Sequence, residues 1–390
     1  MKITKVEPIL LTVDMPEEHP LRWSGGEATS INCALVRIHT DEGISGLGDC
    51  YGSGFVAGEA TAELFRLFGR FLEGHDPRNV SKCFETMYRR VIYWGRSGLA
   101  VAVASTVENA LWDITGKAAG KPVHELIGGP CHDKLPIYAS GGLEQPLDSL
   151  KAEMHDHVSK GYKAVKMRIG VSLDHDLERV ATCRAILGPD VKLMADAVMG
   201  HNPNPWTSAE AVRAARSLEE FDLFWLEEPC FAADYDGYAH VRQNTPIPIS
   251  GGESSCMTYE FKHFFDRKAL DIAQPDACQA GGILECLKIA ALADANGVKV
   301  APHAWGTSIT VAANLAWAFV ARNTVLAEYP TWHFPLTDEL FIKKPCIEDG
   351  YVLPPTLPGL GVELTNDTVE KYRYRPDASR LNMRRASSDT

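Results

Sequence analysis

In the second half of this chain, ionisable residues recur at the ends of short apolar runs, and their types suit proton transfer and cation binding. Lys166 and Arg168 close the run 164–169, Asp196 closes 192–197, and Glu227 follows 223–226. Glu253, Asp276, His303 and Glu328 stand just after or at the ends of 247–250, 272–273, 298–301 and 325–327. An apolar strand gains nothing from a terminal carboxylate, and acids gathered in one mouth repel. Two carboxylates about 4 Å apart repel by about 4 kcal/mol at an effective dielectric near 20. Convergence of Asp196, Glu227 and Glu253 therefore requires a cation. All-oxygen ligation points to Mg²⁺ or Mn²⁺ and away from Zn²⁺.

The elements that must position these groups follow from the spacing. With 136–139 there are eight strand-like runs after Gly129, separated by amphipathic helical segments, which is the βα unit repeated. An open doubly wound sheet alternates in the same way. Polar residues collected at successive strand ends favour a TIM-like barrel, whose active site lies at that face. Before Gly129 the alternation in 3–13, 31–39 and 44–47 predicts an antiparallel meander. Helical periodicity follows at 59–73, 79–90 and 98–119, the last apolar on most faces. The expected organisation is an α+β capping domain over 1–129, a barrel over 130–330, and a segment over 331–390 that packs back on the cap and ends in a polar tail.

The contexts of these residues resemble the enolase superfamily and, within it, the mandelate racemase group. The stretches that carry the resemblance are Lys166-Met167-Arg168, Leu193-Met194-Ala195-Asp196, Trp225-Leu226-Glu227-Glu228-Pro229, Gly251-Gly252-Glu253, Gln274-Pro275-Asp276 and Pro302-His303. Gly46-Leu47-Gly48-Asp49, Leu111-Trp112-Asp113 and Glu328-Tyr329-Pro330 extend it over nearly the whole chain. The resemblance implies an α/β fold with an N-terminal α+β capping domain over a modified (β/α)7β barrel, and Mg²⁺ held by Asp196, Glu227 and Glu253. It further implies a basic residue at the end of the second strand, a His303–Asp276 dyad opposite it, and Glu328 nearby. The shared first step is removal of the proton α to a carboxylate. The residues account for that step on their own terms, because a divalent cation, Lys166 and Glu328 are placed to bind the oxygens of a doubly charged ene-diolate. A protonated Glu328 would donate a hydrogen bond to one of them, and an ionised one would repel it.

Two departures bear on the reaction. Many members of the group have KxK at the second strand, and here Arg168 replaces the lysine that serves as base; an arginine stays protonated at any working pH. A racemase needs an acid or base on each face of the carbanion, so this substitution favours a reaction that one dyad can run. The second departure is Ala197-Val198 after Asp196, where the group often has an asparagine, and His201 or Asn202 is expected to supply that contact. A dehydratase of an aldonic or aldaric acid, a lyase giving a 2-keto-3-deoxy acid, fits these features best. An isomerase, either a racemase/epimerase or a lactonising enzyme, is the second reading and a catalytically silent scaffold the third.

Other segments carry weaker signals. Gly52 to Gly58 nearly matches a dinucleotide-binding fingerprint, but its third glycine is one position late and no βαβ unit surrounds it, so it reads as a loop. With 19–24 it is expected to close over the substrate, which makes Arg22, Trp23 and Tyr51 candidate specificity residues. Arg96 and Ser140 are further candidates for the mouth. His155 and His157 are expected to be solvated, and Glu228 to point away from Glu227 into a salt bridge. The 39 Lys+Arg against 51 Asp+Glu give a net charge of −12, which disfavours nucleic acid and anionic membranes as partners. The expected partners are a small carboxylate substrate and further copies of the same chain. Ten cysteines without a CxxC pair read as buried hydrophobes. No apolar run resembles a signal peptide or a membrane span, and a cytoplasmic location is expected.

Overall fold

Alternating apolar residues near the N-terminus form strands Ile3–Asp14, Ser30–Thr40 and Ser45–Asp49, an antiparallel sheet whose first two members pair from Ile3 with Thr40 to Asp14 with Ser30. The computed structural model describes residues 1–50, 53–376 and 381–383. Helices Ser53–Leu72 and Leu99–Ala119 pack on this sheet and Val80–Val91 packs on those two, with Leu99–Ala119 buried along most of its length. The first helix starts six residues earlier than the periodicity predicts, with a break at Ala57 (φ −132°, ψ 31°), so the glycine-containing segment from Ser53 is helical rather than a loop. A hairpin of Leu21–Trp23 and Gly26–Ala28 replaces the loop expected over 19–24, and Leu381–Met383 from the other end of the chain adds its third strand.

Helix Leu99–Ala119 approaches strand Ser45–Asp49 so closely that side chains are excluded from alternate strand positions. A Cβ on Gly46 would lie 2.1 Å from the Ala110 carbonyl oxygen, and one on Gly48 would lie 2.2 Å from that of Thr106. Backbone cannot yield as a side chain can, so Gly48→Ala is expected to destabilise the protein by about 3 kcal/mol. A thermal or urea midpoint unchanged from that of the parent would show that the helix can move away.

Eight parallel strands follow: Leu135–Ser140, Ala164–Arg168, Lys192–Asp196, Leu223–Glu227, Ile249–Gly251, Ile272–Ala273, Lys299–Val300 and Ala327–Pro330. The first seven pair in chain order, and the eighth pairs with the first through Glu328 and Tyr138. The ring closes where the Val325 N–H donates to the Val300 carbonyl at 2.9 Å. The barrel is thus shut and not an open doubly wound sheet. Helices such as Ile283–Ala295 and Ser308–Ala318 pack outside it.

The interior is a small cluster separate from the main core: Tyr138, Ala164, Met194, Trp225, Ile272, Ala301 and Leu326. Side chains two residues apart on a strand share a face. Two residues beyond each cluster member stand Ser140, Lys166, Asp196, Glu227, Gln274, His303 and Glu328, a polar layer stacked on an apolar one.

Cap and barrel are stitched by buried carboxylates. Glu108 of the cap accepts hydrogen bonds from the backbone N–H groups of Ile283 and Leu284, at the start of a barrel helix, and from Trp112 Nε1. Burial pushes its carboxyl up to about 7 despite those bonds. Asp49 Oδ2 accepts from the Thr307 N–H and hydroxyl and from the Thr310 hydroxyl, all within 3.2 Å. Of the chain's last residues, Tyr372 accepts from the Thr12 N–H, and Arg375 pairs with Asp14. No helix among the described residues is long and apolar enough to cross a membrane. The cysteines are free thiols, buried except for Cys131 and Cys346.

Candidate active site

The polar layer opens at the C-terminal ends of the barrel strands. Asp196 and Glu227 are the last residues of the third and fourth strands and pair in register, while Glu253 follows the fifth strand in the turn after Gly251. One ligand oxygen from each of the three lies within 4.8 Å of the others. Trp225 Nε1 donates to Glu227 Oε2 at 2.9 Å and the Val198 N–H to Asp196 Oδ1 at 2.9 Å, which fixes the orientation of each carboxylate. Three convergent carboxylate donors with these supports fit a hard divalent cation.

Lys166 lies at the bottom of the layer, fully buried. Its Nζ donates to Glu227 Oε1 at 2.5 Å and lies 3.1 Å from Glu328 Oε1 and 3.5 Å from Asp196 Oδ2. Burial disfavours its charge, but Glu227 and Glu328 outweigh this and raise its pKa. Arg168, two residues on, reaches Asp196 Oδ2 at 3.2 Å, and its guanidinium lies 4.7 Å above the Trp305 ring. Glu328 takes the Ala304 N–H on its other oxygen at 2.6 Å. Burial raises its pKa, but Lys166, His303 and Arg168 more than offset this and hold it at about 2. Lys166 is its nearest cationic partner.

Across the mouth, His303 Nδ1 lies 2.7 Å from Asp276 Oδ2 and Nε2 lies 3.6 Å from Glu253 Oε2. Asp276 is itself held by the Cys278 N–H at 2.7 Å and Asn314 Nδ2 at 2.8 Å. Burial lowers the imidazole pKa, but the Glu253 carboxylate and the Asp276 hydrogen bond push it up to about 10. Neutralising Glu253 removes the largest upward contribution and returns the ring toward the range in which it accepts a proton near neutral pH.

The other expected residues are distributed differently. Arg22 pairs across its hairpin with Glu27 at 2.5 Å and is half exposed, while Trp23 is partly buried against the main core. Tyr51 lies outside the described residues. Ser140 is fully buried at the end of the first strand, and Arg96 is exposed on the cap. His157 is buried rather than solvated, edge-on to Tyr162 and 3.4 Å from Glu153, whereas His155 is exposed. Asn202 is used to hold the hairpin, through a 3.0 Å hydrogen bond to Ser24 Oγ.

Glu228 departs from expectation most. Its backbone takes a left-handed φ of 44°, which breaks the strand alternation, and its side chain turns to the Glu253 side instead of outward into a salt bridge. Burial and the neighbouring Glu253, Asp196 and Glu227 push its carboxyl well above the usual range. Trp305, Asn314 and Gln274 are site neighbours that the sequence reading did not single out. A lone asparagine within the apolar helix Ser308–Ala318, and a glutamine in the strand-end layer, were the available signals.

Known proteins resemble this chain along nearly its whole length. Residues 6–128 match the family described as mandelate racemase / muconate lactonizing enzyme, N-terminal domain, and residues 149–368 match enolase C-terminal domain-like. The chain is 33% identical over 393 residues to a D-galactarolactone cycloisomerase of Agrobacterium fabrum, covering 97% of this chain and all of that protein. It is 35% identical over 395 residues to a D-galactonate dehydratase of Ralstonia nicotianae, covering 97% and 96%. A crystal structure of a racemase from Streptomyces coelicolor A3(2) with bound magnesium superposes with a TM-score of 0.83 at 31% identity, covering 95% and 98% of the two chains.

Proposed function

Since the chain belongs to the mandelate racemase / muconate lactonizing enzyme family of the enolase superfamily, we propose that it is a Mg²⁺-dependent sugar-acid dehydratase. The observation that carries this reading is the asymmetry of the mouth. One side offers the His303–Asp276 dyad; the other offers Lys166, paired with Glu227 and Glu328, and the guanidinium of Arg168, which cannot act as a base. A single proton acceptor suits elimination on one face and leaves a two-base racemisation without its second base.

Asp196, Glu227 and Glu253 would hold the cation, which supplies positive charge to the carboxylate oxygens of the substrate. Asp276 accepts a hydrogen bond from the N–H at His303 Nδ1 and so presents Nε2 as the base. Nε2 takes the proton from C2 of a 2,3-dihydroxy acid, and Lys166 and Arg168 stabilise the charge that develops on the carboxylate oxygens. The same Nε2 returns that proton to the departing C3 hydroxyl. The C2–H and C3–O bonds break, a C2–C3 double bond forms, water leaves, and the enol tautomerises to the 2-keto-3-deoxy acid.

Relatives named as cycloisomerases, with similarity over the whole chain, support a second reading. Ring opening of a lactone or anhydro-sugar acid also begins with α-proton removal and also needs one base. Incubation with panels of aldonic acids, aldaric acids and their lactones in Mg²⁺, followed by proton NMR and α-keto-acid assay, separates the two. Keto acid from open-chain acids supports the dehydratase. Turnover of lactones alone selects the cycloisomerase.

Arg168 tests the charge-stabilising role directly. Arg168→Lys keeps the positive charge but loses the planar contact with Trp305 and the guanidinium's reach to Asp196. A fall in kcat of about 10- to 100-fold with residual dehydration is expected. Racemisation gained without any loss of dehydration would mean that Arg168 is merely a blocked base.

A further inference from the structure

We propose that His201, Glu228 and Glu253 form a second divalent-cation site beside the first, with Glu253 shared between them. It rests on the assignment of Glu253 to the first set and extends it. One ligand atom from each of the three residues lies within 4.8 Å of the others, and His201 Nδ1 is 3.9 Å from Glu253 Oε1.

The observation that calls for a ligand is Glu228. It is 1% exposed, and neither carboxylate oxygen has a hydrogen-bond partner among the described residues. A carboxylate buried without donors is costly, and buried charges are ordinarily paired or coordinate metals. The structure keeps room for it at the expense of its neighbour: a Cβ on Gly200 would lie 1.9 Å from Glu228 Oε2. The chain reverses over this carboxylate, with the Met199 N–H donating to the Glu228 carbonyl. Around the mouth stand six carboxylates, those of Asp196, Glu227, Glu228, Glu253, Asp276 and Glu328, against three basic groups, Lys166, Arg168 and His303. This excess of acids surrounds the pair formed by Glu228 and Glu253, where a cation would relieve it.

The two sites differ in chemistry and position. The first offers three carboxylates, two of them no more than 2% exposed. The second includes an imidazole whose side chain is 48% exposed, so it lies toward solvent. A mixed nitrogen and oxygen donor set favours Mn²⁺ over Mg²⁺. Bridging carboxylates in two-metal sites hold ions about 3.5–4 Å apart, a spacing that one shared Glu253 can span.

Titration of the metal-free protein with Mn²⁺, reading free Mn²⁺ by electron paramagnetic resonance, counts the sites without using activity. Two Mn²⁺ per chain are expected in the parent. His201→Ala, a change at a half-exposed side chain, and Glu228→Gln, which keeps the shape of the buried group, should each weaken one of the two by at least tenfold and spare the other. One Mn²⁺ per chain in the parent, or two at unchanged affinity in both variants, overturns the second site and leaves the first intact. No bound Mn²⁺ at all overturns both this inference and the metal dependence proposed above.

Discussion

Replacing His303 by asparagine should abolish keto-acid formation and, with it, exchange of the substrate α proton with solvent. General acid–base catalysis contributes about 10² to 10⁴ in rate, and a residue that serves both the removal and the return of the proton should exceed that range when lost. A loss of at least about 10⁴-fold, or about 5.5 kcal/mol of barrier, is therefore expected. Asparagine preserves polarity at Nδ1, so Asp276 keeps a partner and the variant should fold. Asp276→Asn is expected to impair both processes less severely, because Asn314 and the Cys278 N–H still hold the side chain while the tautomer of His303 is no longer imposed. Deuterium exchange and keto-acid assay read the two steps separately. Exchange that survives in His303→Asn while dehydration is lost would move the base to the opposite face, where Lys166 is the group to test. Survival of both would mean that the dyad is not catalytic.

Exhaustive chelation should remove all activity, and Mg²⁺ should restore it. Glu227→Gln should be inactive at any Mg²⁺ concentration, since it removes one of three converging ligands and also one counter-ion of Lys166. Lys166 keeps Glu328 and Asp196 as partners, and less negative charge remains to repel, so thermal stability without metal should hold or rise slightly. A ligand that binds only the folded state stabilises it by about 2.7 kcal/mol at a hundred times its dissociation constant. Added Mg²⁺ should thus raise the thermal midpoint of the parent, and raise that of Glu227→Gln much less. Full activity after chelation would sink the metal assignment.

The parts of the barrel that could be read from sequence were those governed by local alternation. Tyr138, Ala164, Met194, Trp225, Ile272, Ala301 and Leu326 mark the interior of seven strands, and the residue two places on is polar in every case, so strand periodicity alone locates the mouth. Features that depend on partners distant in the chain were not legible. The strands Leu21–Trp23 and Gly26–Ala28 are three residues each, and their sheet is completed by Leu381–Met383, some 350 residues away. The Trp305 ring under Arg168 joins the seventh strand's loop to the second strand, a neighbourhood that only closure of the barrel creates. Glu228 escapes the alternation because it stands one residue past the end of its strand, where a left-handed backbone turns its side chain.

The buried carboxylates between cap and barrel limit how such a protein can diversify. Asp49, contributed by a cap strand, anchors Thr307 and Thr310, four and seven residues after the proposed base; Glu108 caps a barrel helix from the side. Exchanging the cap for one without these acceptors would leave their donors stranded in the interior, at a cost of about 1–3 kcal/mol for each unsatisfied group. Recombination at the boundary between the halves is thus penalised unless both partners carry the same acceptors and donors across it. New substrate preferences are more accessible by drift within the hairpin and the strand-end loops, which can change without disturbing this seam.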